Sequence, residues 1–200
     1  MAIRYVALGD SYTIGTSVTA AERFPNQLVD ALAEAGIELD LVANLGVNGY
    51  TSADLIRDEL PVLPALRPDF LSLLIGVNDV VQGVSAATYE RNVGTILDTS
   101  LAQVAPERIV AVAIPDYTAT PAGADYGDPD DQHDSIVANN TIMAHLATAR
   151  GIAFVDIFDL SLEAGDDRSL VADDGLHPSG EQYRRWVERI APVAAGRLAG

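Results

Sequence analysis

The chain of 200 residues contains no cysteine and no lysine. Without cysteine it can form no disulfide, use no thiol nucleophile and bind no metal through thiolate, and cysteine usage gives no indication of its compartment. Without lysine it can form no Schiff base and lacks the lysine of a Walker-type phosphate loop. All 12 of its basic residues are arginines. These absences exclude several common classes of covalent and metal chemistry.

The sequence is also poor in positive charge and has no hydrophobic run long enough to span a membrane. Its 29 Asp and Glu residues against 12 Arg give a formal net charge of −17, and such a field opposes binding to nucleic acid and to anionic membranes. Residues 1–8 hold one Arg and a short apolar segment, too little for a signal peptide. We therefore expect a cytoplasmic protein with a small-molecule partner, no nucleic acid partner and no stable membrane association. Secretion stays open if a signal was removed, and the oligomeric state is not indicated.

Five apolar segments of strand length recur along the chain. They are nearly continuous rather than alternating, which is typical of parallel strands covered on both faces. The segments are Tyr5–Leu8, Leu39–Ala43, Phe70–Ile75, Ile109–Ile114 and Ile152–Ile157, and helical patterns occupy about 25–35, 52–60, 86–104, 134–150 and 179–198. Ser52, Ser179 and either Asp134 or Ser135 are the predicted N-caps. With no linker composition anywhere, the sequence predicts one α/β domain over 1–200, a three-layer α/β/α sandwich with a five-stranded, mainly parallel sheet.

Four short motifs follow predicted strands. GDSYTIG (9–15) follows the first strand, NLGVNGYTS (44–52) the second and GVND (76–79) the third, while DDGLHPS (173–179) lies after the fifth. In an open parallel sheet, ligands bind outside the carboxyl ends of the strands, so we expect these motifs to converge on one edge. They supply a serine, a histidine and an aspartate, the three groups of a nucleophilic triad.

These motifs, in this order, resemble those of the SGNH hydrolases, a branch of the GDSL esterases and lipases. The resemblance spans residues 9–177, and Tyr12 stands where the family name has leucine. That departure alters the wall beside the nucleophile and leaves the chemistry alone. The resemblance implies a flavodoxin-like SGNH hydrolase fold and serine-based hydrolysis with no cofactor and no metal.

The resemblance implies a role for each member of the triad. Ser11 would be the nucleophile and His177 the base, because His177 has a carboxylate at the family's DxxH spacing. That spacing selects Asp174 to orient the base, although the neighbouring Asp173 is an alternative on position alone. His145 lies within a predicted helix, where packing or solvent exposure accounts for it.

The resemblance also implies an oxyanion hole. Its donors would be the backbone amides of Ser11 and Gly49 and the side-chain amide of Asn78. Gly46 competes with Gly49, but Gly49 directly precedes the helix entry, which leaves Gly46 to provide backbone room. Two acids are expected to have supporting roles, with Asp10 bonding loop amides and Asp79 lying behind the site.

The segment from Pro115 to Asp134 is a predicted long loop at the active-site edge, and such loops are usually functional or disordered. Tyr117 and Tyr126, together with Tyr12, are candidate substrate-binding residues, and His133 is a candidate for the same pocket. A solvated surface loop is the alternative. Calcium is a further hypothesis, although the spacing of the loop acids does not match an EF-hand. Those acids are Asp125, Asp128, Asp130, Asp131 and Asp134.

The predicted function is a serine esterase that hydrolyses small soluble carboxylic esters through an acyl-enzyme. Short-chain, aryl and acetylated carbohydrate esters are the expected substrates. The alternatives are an acyltransferase with the same triad, in which an alcohol replaces water, and a lysophospholipase or thioesterase. A metal-dependent phosphotransfer domain built on Asp10 is disfavoured because the chain lacks lysine and a second acid at DxD spacing. A binding module with a misaligned triad is the last alternative.

Overall fold

The computed structural model describes residues 2–199. Five strands form one sheet: β1 (Ile3–Gly9), β2 (Leu39–Asn44), β3 (Phe70–Leu74), β4 (Ile109–Val112) and β5 (Ala153–Val155). The helices in these residues are α1 (Ser11–Ile14), α2 (Phe24–Glu34), α3 (Ser52–Asp58), α4 (Leu63–Leu66), α5 (Val77–Val81), α6 (Ala86–Leu101), α7 (Pro129–Ala149), α8 (Phe158–Leu162) and α9 (Gly180–Leu198). Short 3₁₀ turns lie between several of these elements.

The strand order is β2-β1-β3-β4-β5, and every neighbouring pair is parallel. The predicted five-stranded α/β fold is therefore confirmed. The chain runs from β1 to β2 on one side of it and then crosses to β3 on the other side of β1. The connections therefore leave β1 in opposite directions. A crevice forms outside the carboxyl ends of the strands at such a switch point.

Helices cover both faces of the sheet, which explains the continuous apolar character of the strands. Helix α2 packs on α9, while α6 packs on α7 and α3. The four residues of β1 from Tyr5 to Leu8 are fully buried, and so are Phe70, Leu71 and Leu74 of β3. The central strands β1 and β3 are therefore rigid supports for the turns that follow them. No helix within residues 2–199 is both long enough and apolar enough to cross a membrane.

Helix α7 begins earlier than the sequence pattern predicts. Its N-cap is Asp128, whose carboxylate accepts hydrogen bonds from the amides of Asp130 at 3.1 Å and Asp131 at 3.3 Å. The predicted caps Asp134 and Ser135 are wrong, because both lie inside the helix. A proline at the first helical position needs no amide partner, so Asp128-Pro129 is the local signal for this start. The loop that the sequence predicts from Pro115 to Asp134 therefore ends at Asp128.

A second predicted cap is wrong by one residue. Thr51 caps α3: its side chain accepts a hydrogen bond from the amide of Asp54, and the Asp54 carboxylate accepts one from the Thr51 amide. This reciprocal capping box satisfies two amides at once. Ser52 is instead the first helical residue, and its side chain donates a hydrogen bond to Asp79. The predicted cap Ser179 is confirmed by its bond from the amide of Gln182.

Candidate active site

Ser11 is the first residue of α1, separated from the end of β1 by Asp10 alone, and it borders a cavity. The turn between strand and helix is held by Asp10, whose carboxylate accepts a hydrogen bond from the Tyr12 amide at 3.0 Å. Asp10 is fully buried. Burial raises its pKa to about 8, against the lowering effect of the Tyr12 amide, and the Asp79 charge adds to the rise. The expected structural role of Asp10 is confirmed, and its burial removes the phosphotransfer interpretation.

A second buried acid supports the same turn from below. Glu59 accepts a hydrogen bond from the Gly9 amide at 3.0 Å and is 3% exposed. Burial raises its pKa to about 9, which the Gly9 amide opposes and the charges of Asp10 and Asp58 reinforce. Burial therefore favours the protonated form of this carboxyl next to the serine turn. Sequence patterns did not single out Glu59, because nothing in its local context marks a helix-end acid as buried.

His177 and Asp174 form a hydrogen-bonded pair. The His177 Nδ1 lies 2.7 Å from Asp174 Oδ2, and the amides of Leu176 and His177 both donate to Asp174 Oδ1 at 2.9 Å. Burial on its own would raise the pKa of Asp174. Hydrogen bonds from Ser17, from the two amides and from the His177 ring outweigh that effect and hold the pKa well below its usual range. The carboxylate is therefore ionised when it accepts the ring N–H.

Asn78 lies in α5, and its side-chain nitrogen donates one hydrogen bond, to the Tyr50 carbonyl at 2.9 Å. That bond fixes the amide and leaves its second N–H for a ligand. The neighbouring Asp79 is fully buried and accepts from the Ser52 amide at 2.7 Å and from the Ser52 hydroxyl. Asp79 thereby ties α5 to α3 from behind the site, as expected.

The two competing glycines have different surroundings. A Cβ on Gly46 would lie 2.6 Å from the Asp10 carbonyl, so Gly46 is needed for close approach, and its expected role is confirmed. Gly49 has open space around it but a φ of +81°, and it borders the cavity. Gln82 donates to the Gly49 carbonyl at 3.3 Å. Within residues 2–199, the amides of Ser11 and Gly49 make no hydrogen bond to the protein.

The cavity that these residues share has a volume of about 220 Å³. Its walls combine the candidate catalytic groups with apolar and aromatic side chains. None of the lining residues is an aspartate, a glutamate or an arginine. The lining residues are Ser11, Tyr12, Asn48, Gly49, Val77, Asn78, Val81, Tyr117, Tyr126, Leu176 and His177. The structure therefore brings residues of all four motifs around one cavity. Val77, Val81 and Leu176 were not singled out by the sequence, because apolar residues inside motifs look like core.

The three candidate substrate-binding tyrosines all border this cavity. Tyr12 is buried, with its ring centroid 5.8 Å from that of His177. Tyr117 and Tyr126 meet edge to face, with their ring centroids 5.9 Å apart. Tyr126 is 42% exposed, so it forms the outer rim.

His133 does not border the cavity, contrary to the expectation for this loop. Its Nδ1 lies 2.5 Å from the carboxylate of buried Asp116, and its ring lies against Phe158. The hydroxyl of Tyr117 also bonds Gln132, next to His133. These two contacts join the start of the loop to α7, so the second Asp–His pair closes the loop that carries the tyrosines.

The loop acids do not form a metal site in the part of the chain that the structure describes. No group of three or more His, Asp or Glu side chains in residues 2–199 is arranged to hold a metal ion. Asp128 is used as the cap of α7. His145 is exposed on α7, away from the cavity.

Comparison with known proteins gives this architecture a family. The sequence profile of the GDSL-like lipase/acylhydrolase family matches residues 7–185. The chain belongs to this family. It is a serine hydrolase that acts on ester bonds, as the resemblance of its motifs predicts.

Individual members of the GDSL-like family are distant from the chain in sequence. Esterase TesA of Pseudomonas aeruginosa is 22% identical over 189 residues, covering 94% of this chain and 86% of TesA. The solved lipase/acylhydrolase from Enterococcus faecalis is 20% identical, with a TM-score of 0.78 and coverage of 98% and 97%. A variant of Axe2, an acetyl xylan esterase from Geobacillus stearothermophilus, is 18% identical, with a TM-score of 0.76 and coverage of 96% and 94%. The two structures share this fold.

Proposed function

We propose that the chain hydrolyses small, uncharged carboxylic esters through an acyl-enzyme on Ser11. The observation that carries the proposal is the shared cavity, which Ser11 borders together with His177, Asn78 and Gly49. His177 is already bonded to Asp174 through Nδ1. In the neutral ring, an Nδ1–H directed to the carboxylate places the lone pair on Nε2, which can then accept a proton.

Hydrolysis proceeds in two half-reactions. Ser11 Oγ attacks the ester carbonyl carbon while its proton passes to His177 Nε2, and the carbonyl oxygen becomes an oxyanion. His177 then gives the proton to the leaving alcohol oxygen as the C–O bond breaks, which leaves an acyl-serine. Water then attacks the acyl carbon while His177 takes its proton, and His177 gives that proton to Ser11 Oγ as the bond between the acyl carbon and Oγ breaks and the acid is released. Asp174 stays ionised and stabilises the imidazolium in both halves.

The oxyanion would be bound by the amides of Ser11 and Gly49 and by Asn78. In the part of the chain that the structure describes, the two backbone amides make no hydrogen bond to the protein, and the Asn78 amide has one N–H left. Donors that are fixed before the reaction lower the barrier because they need not reorganise as charge develops. The Tyr50 carbonyl supplies that fixation for Asn78.

The size and charge of the cavity favour a short, neutral acyl group. Its volume of about 220 Å³ is below the roughly 300–1,000 Å³ typical of sites for drug-sized ligands. No arginine lines it to pair with an anionic substrate, and the whole chain has a charge of −17. A substrate with phosphates or a carboxylate would meet repulsion without a compensating contact. A thioester of a phosphorylated carrier is therefore a poor fit, and the walls of Tyr12, Tyr117 and Tyr126 suit short acyl or aryl groups.

The test is a series of p-nitrophenyl esters, from acetate and butyrate to octanoate and decanoate, with acetylated sugars alongside. We expect kcat/KM to be highest for the short esters. Ser11→Ala should lower it by about 10³-fold or more, and Ser135→Ala, an exposed serine on α7, should leave it unchanged. Native-like turnover by Ser11→Ala would rule out the serine mechanism.

Two further arms test charge and acceptor. We expect p-nitrophenyl butyrate to be preferred over the mono-p-nitrophenyl ester of succinic acid, with a preference that shrinks as salt screens the field. Added alcohol should leave free acid as the main product. Predominant ester formation with the alcohol would instead identify an acyltransferase.

A further inference from the structure

Ser17 lies in the turn after α1, 157 residues before Asp174, yet its hydroxyl contacts that carboxylate. Ser17 Oγ donates to Asp174 Oδ2 at 2.6 Å. The same oxygen lies 2.7 Å from His177 Nδ1, while Asp174 Oδ1 is held by two backbone amides. Ser17 thereby connects the segment that carries the serine nucleophile to the segment that carries the histidine.

The backbone of Ser17 adopts an unusual conformation to make this contact. Its φ is +65°, in the left-handed region, where among residues 2–199 the only other non-glycine residue is Arg67. A side chain makes this conformation unfavourable, and glycine would adopt it more readily. Ser17 is also exposed, so core packing does not account for it. The distinctive contact of this residue is the one from its hydroxyl to Asp174.

We propose that Ser17 is a positioning residue, whose hydroxyl fixes the Asp174 carboxylate in the rotation that presents Oδ2 to His177. This inference rests on the proposed roles of Asp174 and His177. The amides of Leu176 and His177 hold only Oδ1. The carboxylate group can therefore still rotate and move Oδ2 away from His177. A donor on Oδ2 removes this freedom, and His177 then keeps one orientation toward Ser11.

The charge of Asp174 supports the same role. The Ser17 hydroxyl is one of the donors that keep the pKa of Asp174 well below its usual range in spite of burial. An ionised carboxylate stabilises the imidazolium that forms in each half-reaction. Because the side chain of Asp174 is 29% exposed, water could replace part of this bond in a variant, so the expected effect is moderate.

The experiment combines two substitutions at one position. Ser17→Ala removes the hydroxyl and keeps the backbone strain, whereas Ser17→Gly removes both. We expect each to lower kcat for p-nitrophenyl acetate by about 5- to 10-fold, equivalent to roughly 1 kcal/mol of barrier, with KM unchanged. Since the cavity walls are intact, a purely structural defect would also change KM or the melting temperature. Recovery of native kcat in Ser17→Gly would assign the effect to the backbone and overturn the inference.

A double-mutant cycle with Asp174→Asn tests whether Ser17 acts through Asp174. We expect Ser17→Ala to lose its effect on kcat in the Asp174→Asn background, and an equal loss in both backgrounds would overturn the inference.

The Nδ1–H proton resonance of His177, observed by NMR in a His133→Ala background, should move in Ser17→Ala. If Asp174→Asn retains native kcat, the role of Asp174 fails and this inference fails with it, whereas the proposed function fails only if Ser11→Ala keeps native turnover. If Asp174→Asn is impaired while both Ser17 variants are native-like, only the role of Ser17 fails.

Discussion

The molecule contains two Asp–His pairs that are alike in bonding and opposite in surroundings. In one, His177 is only 14% exposed and borders the cavity, while Asp174 is 29% exposed. In the other, Asp116 is completely buried and His133 is 40% exposed, outside the cavity. Both histidines bond their aspartate through Nδ1. What distinguishes them is the neighbourhood of the histidine, because within residues 2–199 only His177 borders the cavity that Ser11, Gly49 and Asn78 share.

The comparison shows how one local motif can have two uses. Asp116 stands at the start of the loop with Tyr117, and His133 stands in α7 beyond Tyr126, so their bond closes the loop into a fixed wall. Under the proposed function, Asp174 instead uses its bonds to orient the base His177. An Asp–His hydrogen bond is therefore not by itself a mark of catalysis.

The sharpest test of this difference is to remove each histidine. We expect His177→Ala to lower kcat/KM for p-nitrophenyl acetate by about 10³-fold or more, because no base then accepts the Ser11 proton. His133→Ala should keep kcat within a few-fold and destabilise the fold by about 1–3 kcal/mol, because a buried carboxylate loses a partner. Steady-state kinetics and urea unfolding of both variants measure this. Equal loss of kcat in the two would show that the pairs are not functionally distinct.

The next test asks what the hydrogen-bond donor Asn78 contributes to catalysis apart from the Asp174–His177 pair. Asn78→Ala should lower kcat by about 10²- to 10³-fold with little change in KM, because its amide faces charge that exists only in the transition state. Asn140→Ala provides the matched control, since that amide bonds the Ile114 backbone. A rise in KM alone for Asn78→Ala would make Asn78 a substrate-binding residue.

A third carboxyl extends the comparison to pH. Glu59 has an ordinary pKa of 4.5 in the unfolded chain and about 9 in the fold. As pH rises between these values, the unfolded state loses a proton that the folded state keeps, so the free energy of unfolding falls, by up to about 1.4 kcal/mol per pH unit. Glu59→Gln cannot ionise and keeps an acceptor for the Gly9 amide.

We therefore expect Glu59→Gln to gain about 2 kcal/mol or more over the wild type between pH 5 and pH 8. Urea unfolding at the two pH values measures the difference. Glu90→Gln, at an exposed position on α6, is the control and should show no such gain. Parallel pH dependence of wild type and Glu59→Gln would mean that Glu59 is ionised in the fold.

The smallest expected effect concerns the loop wall. Tyr126→Ala should raise KM for p-nitrophenyl butyrate by about 3- to 10-fold with kcat unchanged, because it removes an aromatic contact that does not touch the reacting atoms. His133→Ala should raise KM in the same direction by less, since it only loosens the loop. A change in kcat without a change in KM would place Tyr126 in the chemistry rather than in the wall.

Much of the fold was predictable from local pattern. Buried parallel strands such as Phe70–Leu74 are continuous apolar segments, and long helices such as α6 and α9 show clear periodicity and caps. The four- and five-residue helices were missed, because α1, α4, α5 and α8 are too short to show a period. The early start of α7 was missed because the acidic composition around Asp128 resembles a loop, although Asp128-Pro129 is a capping signal.

The sequence by itself determined the family, the parallel sheet and the edge at which the motifs meet, because strand ends in such a sheet share one side. Only the tertiary structure decided which residues share the cavity. It separated His133 from His177, buried Glu59 beneath the serine turn and brought Ser17 to Asp174. These contacts join segments up to 157 residues apart. Their formation depends on how helices pack over the sheet, and no local pattern encodes that packing.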